Sequence, residues 1–347
     1  MIVRFGFVAM SMLLENASPS RTMTYRNFSR LPDREAAVRR LERLGEENLH
    51  NTLRVLRHAA AHDIKVYRLS SKLIPLATHE ALADWDPVPA LAASFARVGE
   101  FVRRHGIRAS FHPDHFCVLN TPRPEVLEKS VEDLEMHIRM LEALGLDEAY
   151  KCNIHVGGAY GDKPASGERF LRQFAAIDER YRHRITLEND DKTFTAAETL
   201  QIAEAAGVPM VLDIHHHAVN SDGLAMTQLT QKLWPRIAAT WAVERERALA
   251  AGLGGGADAL QTLLAPKVHA SSPKSAKDPR SHADGVETGP LLAFLSGIAG
   301  SVPRVDVMLE AKQKDAALMQ LMDELRSIAD DNGQLRFIDD ATVEING

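Results

Sequence analysis

Seven side chains of metal-binding type, His112, His155, Glu188, Asp213, His216, His269 and Glu310, each fall at or just past the end of a short apolar run. Imidazole and carboxylate are the ordinary protein ligands of divalent cations such as zinc, manganese and magnesium. In a barrel of alternating strands and helices the carboxyl ends of all strands open onto one face, so residues remote in sequence converge there. Histidine and carboxylate at such a mouth point to bound metal rather than core packing.

His112 ends the run Ile107 to Phe111 and precedes Pro113, which stops a strand. His155 follows Tyr150 to Ile154 and precedes Val156-Gly157-Gly158, where glycines leave room for a bend or a ligand. Any one of the 15 histidines taken singly is more readily a core or surface residue; two in equivalent places favour a shared task. Glu188 and Glu310 end apolar strands, where an unpaired carboxylate would cost several kcal/mol. Each therefore demands a metal or an ion pair, for which Lys192 and Lys312 are near in sequence.

Asp213-Ile214-His215-His216 sets a carboxylate and an imidazole three residues apart. A strand would turn Asp213 and His215 to one face, so His216 qualifies only if the chain has already left extended geometry, and the choice between the two histidines stays open. His217 falls to a supporting or solvent-facing place. Lys267 and His269 share a face by the period of two. An inward lysine near cations is tolerated if neutral, if carbamylated, or if paired with a glutamate, and the sequence favours the pairing. His282 closes the segment Ser271–His282, which also carries Lys274, Lys277 and Arg280. It reads either as a late ligand beside basic residues suited to phosphate or as an ordinary exposed loop.

The elements that must position these groups are visible as short runs rich in Val, Ile and aromatic residues alternating with stretches of helical apolar spacing. The strands are predicted at Ile2–Val8, Ile64–Ser70, Ile107–His112, Tyr150–Val156, Ile185–Asn189, Met210–His215, Lys267–Ala270 and Val305–Ala311. Helical spacing covers stretches such as Glu35–His62 and Val126–Leu144, and the eighth helix is predicted at Asp315–Asp330. Eight such pairs predict an α/β fold, a TIM (β/α)8 barrel. A chain of 347 residues, 45% apolar, suits one domain over 1–347. The polar loop Met10–Pro32 is expected to cover the mouth. Leu224–Leu264 is too long for one helix and is expected to divide at Gly252–Gly256.

Only Cys117 and Cys152 are present, which argues for a reducing compartment and a cytosolic place. No apolar run approaches the roughly 20 residues of a membrane span, and Met1–Met12 lacks the pattern of a secretory signal. The net charge of -6 argues against broad, non-specific polyanion binding, so any contact with nucleic acid must be local. Metal ions would themselves supply positive charge where a phosphate docks.

At these residues the chain resembles the UV damage endonucleases, a DNA repair family whose barrel is related to that of the endonuclease IV class of abasic-site nucleases. The resemblance runs from Arg4 to Glu310. It is carried by Arg4-Phe5-Gly6-Phe7 with Asn16, Tyr67-Arg68-Leu69-Ser70-Ser71, Ser110-Phe111-His112-Pro113, His155-Val156-Gly157-Gly158, Leu187-Glu188-Asn189-Asp190, Asp213-Ile214-His215-His216, Lys267-Val268-His269-Ala270-Ser271 and Leu309-Glu310. It implies two or three divalent ions, manganese or a mixture with zinc or magnesium, on His112, His155, Glu188, Asp213, His216, His269, His282 and Glu310. Lys267 matches a lysine that can be carboxylated, and it joins Glu188 and Glu310 as a catalytic candidate. The family probes the lesion with a polar-aromatic pair after the His-Pro turn, here His115-Phe116 where Gln-Tyr is usual. Phe7 stands where a tyrosine is common.

The activity so implied is metal-dependent incision of one strand of damaged duplex DNA, 5′ to a pyrimidine dimer or other distortion, leaving 3′-hydroxyl and 5′-phosphate ends. Phe7, His115 and Phe116 are expected to stack or wedge at the opened step, and Asn16, Arg21, Lys274, Lys277 and Arg280 to meet phosphates. No membrane and no obligatory protein partner are implied, and the expected location is cytoplasmic, at the nucleoid in a prokaryote. A sugar isomerase or epimerase on the same barrel, an abasic-site endonuclease and a non-catalytic DNA-binding module are the rival readings. The surplus of histidines, the basic Ser271–His282 segment and Phe116 favour the nuclease.

Overall fold

The computed structural model describes residues 1–332 and 335–346. All eight predicted strands form, most of them shorter than their apolar runs. In chain order the strands are β1 Ile2–Val8, β2 Val66–Arg68, β3 Arg108–Ser110, β4 Cys152–His155, β5 Ile185–Glu188, β6 Met210–Asp213, β7 Lys267–Ala270, β8 Pro273–Ser275, β9 Asp278–His282, β10 Arg304–Leu309, β11 Leu335–Asp339 and β12 Thr342–Ile345. Eight of them run parallel in the circular order β1-β2-β3, then β4-β5-β6-β7-β10 and back to β1. A single parallel bridge from Phe111 to Cys152 joins β3 to β4 and closes the TIM barrel. Two antiparallel hairpins were not foreseen. β8–β9 forms within the expected loop Ser271–His282. The hairpin β11–β12 pairs with Ile2–Arg4 of β1, below the level at which β2 begins.

Strand alternation sorts the side chains into a helix-facing set and an inward set. Val3, Phe5 and Phe7 lie in the main core between strands and helices. The inward set stacks in levels. Arg4 of β1 lies beside Asp306 of β10 in register, and Asp306 lies beside Lys267 of β7. Arg108 of β3 completes this lowest level with a 2.7 Å hydrogen bond to Asp306. Two residues higher on these strands come Ser110 and His269, and beyond them His112 and Glu310.

The helices form as their spacing predicts. Arg34–Ala61 is capped by the Asp33 side chain and buries Ala37, Leu41, Gly45, Asn48, Thr52, Val55 and Ala59 at three- and four-residue steps. At 28 residues it is about 42 Å long, so it stands well beyond the height of the barrel strands. The stretch Leu224–Leu264 divides at the glycines as expected, into a helical segment ending at Ala250 and a short helix Ala257–Leu263. The last helix, Lys314–Asn332, brackets the expected Asp315–Asp330. Among the described residues no helix is long and apolar enough to cross a membrane.

Asp306 is fully buried and accepts hydrogen bonds from Arg4 Nε and Nη2 and from Arg108 Nη1, each at 2.7 Å. Burial alone would raise its carboxyl, but the Arg4 and Arg108 charges reverse this and hold it below the ordinary carboxylate range. Asp306→Ala strands two buried guanidinium groups and is expected to cost about 3–5 kcal/mol of unfolding free energy in urea titrations at neutral pH. The contribution is complete above the unfolded carboxyl pKa of about 4 and disappears as pH falls through the lower folded value. The gap between parent and variant should therefore narrow on acidification below that point.

Candidate metal centre

Glu188 ends β5 at 1% exposure and reaches into the barrel mouth. Its neighbours arrive from four other strands. His112, just past β3, places Nε2 3.1 Å from Oε2, and Asn153 of β4 donates an amide hydrogen bond to the same oxygen. His269 of β7 lies 3.0 Å from Oε1 through Nδ1, and His216, beyond β6, lies 3.6 Å from that oxygen. Potential ligand atoms fall into three groups, each within 4.8 Å: His112, His155 and Glu188; Glu188, Asp213 and His216; Glu188, His269 and Glu310. Glu188 belongs to all three.

The ambiguity at Asp213 resolves on a local hydrogen bond. β6 ends at Asp213, whose side chain caps the helix Ile214–Val219 by accepting from the His216 amide at 2.7 Å. The helical turn brings His216 back over Asp213, with Nδ1 3.6 Å from Oδ2. His215 points elsewhere, its Nε2 3.3 Å from the Arg280 carbonyl of β9.

Two observations show that these residues fit divalent cations. Asp213 Oδ2 is fully buried and has no hydrogen-bond partner, an arrangement that costs free energy unless a cation meets the oxygen. Four imidazoles also turn Nδ1 to a main-chain carbonyl: His112 to Pro113, His155 to Glu188, His216 to Asn189 and His282 to Glu310, at 2.7 to 3.3 Å. A carbonyl there holds the proton on Nδ1 and leaves Nε2 as a lone-pair donor, the usual support of a metal-bound histidine. His282 stands at the rim of this ring, its Nδ1 3.9 Å from Glu310 Oε2, and belongs to none of the three groups.

Charge is balanced within the ring. Burial would raise the Glu188 carboxyl, but His269, His155 and the His112 hydrogen bond hold it well below its usual range. Burial would lower His269, yet Glu188 and Glu310 raise it to about 9. Glu310 forms an ion pair with Arg68 of β2 and lies 3.1 Å from His269. The lysines near in sequence, Lys192 and Lys312, do not pair with Glu188 or Glu310.

Lys267 corrects the expectation of a glutamate partner. Its amine donates to Ser110 Oγ at 3.1 Å and forms no ion pair among the described residues. Burial, with Arg108 nearby, holds it well below the usual lysine range. Phe7 is a second correction. It is fully buried against Tyr67, ring centroids 5.5 Å apart, on the helix-facing side of β1, and offers no face to a base. Its phase is that of Phe5 and Val3, whereas the inward positions of β1 end at Val8, which packs with Ala9, Val66 and Met308 inside the barrel.

Phe116 is 73% exposed beside the mouth and lies against His115 with ring centroids 4.1 Å apart. His115 lines two cavities: one of about 230 Å³ shared with Arg68, His112, His155 and Glu310, and one of about 520 Å³ shared with His155, Tyr160, Asp190 and His216. Gly157, at φ 117°, is needed where it stands, because a Cβ there would overlap the Asn120 amide. Arg21 pairs with Glu47 at 2.8 Å, Lys274 lies 3.8 Å from Asp278, Arg280 lies 3.8 Å from Asp191, and Lys277 is exposed in the β8–β9 turn. Asn16 is exposed at φ 53°, its carbonyl held by Arg54 at 2.8 Å. The Met10–Pro32 loop is fastened by a 2.6 Å hydrogen bond between Ser20 and Ser70 and by Asp315, which accepts from Ser11 Oγ and the Met12 amide.

Asn153 and Arg68 touch the two central glutamates, and no role was expected of either. Asn153 was findable, since it sits two residues before His155 on one face of a strand. Arg68 reaches Glu310 only because β1 lies between their strands, a relation that topology alone supplies.

The family model for UV-endonuclease UvdE matches residues 3–335. The chain belongs to that family. Membership makes it an endonuclease and removes the sugar isomerase reading. A UV DNA damage endonuclease of Bacillus pumilus is 41% identical over 325 residues, covering 94% of each chain, and that of Halalkalibacterium halodurans is 40% identical over the whole of both. The crystal structure of SacUVDE superposes with a TM-score of 0.74 at 25% identity, covering 94% of this chain and 99% of that one. Endonuclease IV from Thermus thermophilus shares the fold, at a TM-score of 0.52 and 16% identity over 94% and 99% of the two chains.

Asn153 fixes an oxygen of Glu188, the carboxylate common to the three candidate ligand groups. Asn153→Ala is expected to weaken divalent metal binding by about 10- to 100-fold, the range for partners that orient a ligand, measured by titration of the purified protein with manganese. Binding equal to the parent's would remove Asn153 from the site.

Proposed function

We propose that the chain is a metal-dependent repair enzyme of a single domain, 1–347, that incises double-stranded DNA on the 5′ side of pyrimidine dimers and other distorting lesions, leaving 3′-hydroxyl and 5′-phosphate ends. One observation carries the reading: a single buried carboxylate, Glu188, is common to three potential ligand groups, so cations held there would be near enough to act on one phosphate. His112, His155, Glu188, Asp213, His216, His269, His282 and Glu310 would hold two or three divalent ions, manganese with zinc or magnesium as alternatives. Such ions neutralise a scissile phosphate, lower the pKa of a coordinated water and stabilise the departing oxygen.

The protein's own groups do the rest. Glu188 and Glu310 face each other across His269 and serve as the shared carboxylates. Asn153 and the carbonyl-anchored imidazoles keep those ligands in one orientation. Arg68, at the edge of the smaller cavity, lies where it can meet a phosphate oxygen as well as Glu310. Lys267 is buried and held toward its neutral form; an unprotonated amine is the form that carbon dioxide carboxylates, which supports the reading of Lys267 as a modified catalytic lysine.

Lesion choice falls to the exposed His115-Phe116 pair, which is placed to stack at an unstacked base step. Asn16, Arg21, Lys274, Lys277 and Arg280 would position the backbone. The names of the relatives support UV damage as the substrate class, and a chromosomal substrate is consistent with a cytoplasmic enzyme, at the nucleoid if the source is a prokaryote.

Nicking of UV-irradiated supercoiled plasmid with manganese tests the metal claim. Glu188→Ala is expected to lose at least about a hundredfold in rate, beyond what orienting partners contribute, and a variant that nicks like the parent ends the proposal. End-labelling of a duplex with one dimer should show a 5′ cut with a ligatable 3′-hydroxyl. Phe116→Ala should keep its metal content yet lose preference for irradiated over intact plasmid, by about fivefold or more if stacking contributes its usual 1–3 kcal/mol.

A further inference from the structure

Residues 21–43 contain seven arginines against Asp33, Glu35 and Glu42, a net charge of +4 in a chain whose total is -6. The segment covers the end of the loop after β1 and the first part of the helix Arg34–Ala61. Three of the arginines are satisfied: Arg21 by Glu47, Arg34 by Asp84 and Arg39 by Glu35. Arg26, Arg30, Arg40 and Arg43 are exposed and form no ion pair among the described residues. Arg30 and Arg40, from two different elements, line one cavity of about 320 Å³ together with Asn27 and Thr22.

The lobe that carries them is built, not loose. Met23, Phe28, Ala37, Leu41 and Leu82 form a small core of their own, with Leu31, Leu44 and Trp85 packed against it. Tyr25 stacks on His79 with ring centroids 4.2 Å apart. The lobe also continues from the mouth. Ser71 of the β2 loop bonds Asp114 at 3.3 Å beside His112, Ser70 bonds Ser20 at 2.6 Å, and the Asn48 side chain accepts from the Arg21 amide at 2.8 Å. Arg40 lies eight residues before Asn48 on the same helix, about 12 Å farther along its axis and away from the barrel. That distance equals roughly three to four phosphate steps of one DNA strand.

The geometry points to a second phosphate-binding site, formed by Arg30 and Arg40 with Asn27, that grips the backbone of the duplex several base pairs from the cut. The inference rests on the reading of the chain as an enzyme acting on DNA. The ligand class is a phosphodiester, for which paired guanidinium groups are the best protein donors. Such a contact adds affinity regardless of base sequence and fixes the duplex against rotation about the incision point.

The test measures binding of a 30-mer duplex with one central dimer, by fluorescence anisotropy across a salt series, to the full-length protein in calcium. Arg30→Gln/Arg40→Gln is expected to bind about tenfold more weakly near 0.1 M salt and to flatten the log–log salt slope by about two, one per lost phosphate contact. Arg326→Gln/Arg336→Gln, which removes the same charge from the end of the barrel near β11, is expected to leave the slope unchanged. In two nested sets of duplexes, each trimmed toward the lesion from one end, the arginine penalty should vanish in one set when about four base pairs remain on that side. An unchanged slope for Arg30→Gln/Arg40→Gln, or a slope lowered equally by the control pair, overturns the site. Stabilisation of the parent alone by inorganic phosphate, with no change in DNA binding, overturns it in favour of a free-anion pocket. A parent that neither binds nor nicks the lesion duplex overturns the DNA reading itself, a result distinct from a parent that does both beside an arginine variant that matches it.

Discussion

A carboxylate at 1% exposure is a severe demand on a fold, and the upper barrel is organised around meeting that demand at Glu188. Both oxygens are engaged, one by His112 and Asn153, the other by His269. Those partners stand on three different strands, so no local segment of chain assembles the arrangement. It exists only when the barrel has closed through the bridge between Phe111 and Cys152, at the strand junction that brings His112 beside His155. Closure of the sheet and assembly of the site are therefore one event.

The levels inside the barrel separate two electrostatic problems. At the bottom, Arg4, Arg108 and Asp306 form a buried cluster with an excess of positive charge, while the top is dominated by Glu188, Asp213 and Glu310. Lys267 and Ser110 lie between. The lower cluster binds strands β1, β3 and β10 together without touching the mouth. Asp213 shows how economically the upper level is made: one oxygen starts a helix by capping His216, and the other is left facing the ligand group.

Strand-end chemistry was legible in the sequence because barrel strands are short, apolar and stopped by the very residues that act. His112, His155, Glu188, Asp213, His269 and Glu310 could be named from that pattern, and they converge. His216 could not be chosen over His215 from periodicity, because the decision lies in a side-chain cap that ends the strand at Asp213. Phe7 was assigned by resemblance to a tyrosine position, although its alternation with Val3 and Phe5 already marked it as facing the helices. The hairpin β8–β9 gave no signal because its first strand is exposed throughout and lacks alternation. Lys267 meets Ser110 instead of the expected glutamate, on a strand far away in sequence that only the closed barrel brings beside it.

The small apolar group of Val8, Ala9, Val66 and Met308 occupies only one side of the barrel's interior, beneath the open cavity that Arg68 and Glu310 border. Most of the mouth's ionisable groups crowd the opposite side, on β3 to β7, while Arg68 and Glu310 stand at the rim of the apolar side. The shaft is thus lopsided, with a greasy ledge facing a wall of imidazoles and acids. Apolar groups on the ledge hold water weakly, so polar contacts at the mouth fall to the wall and to the Arg68–Glu310 pair at the ledge's rim.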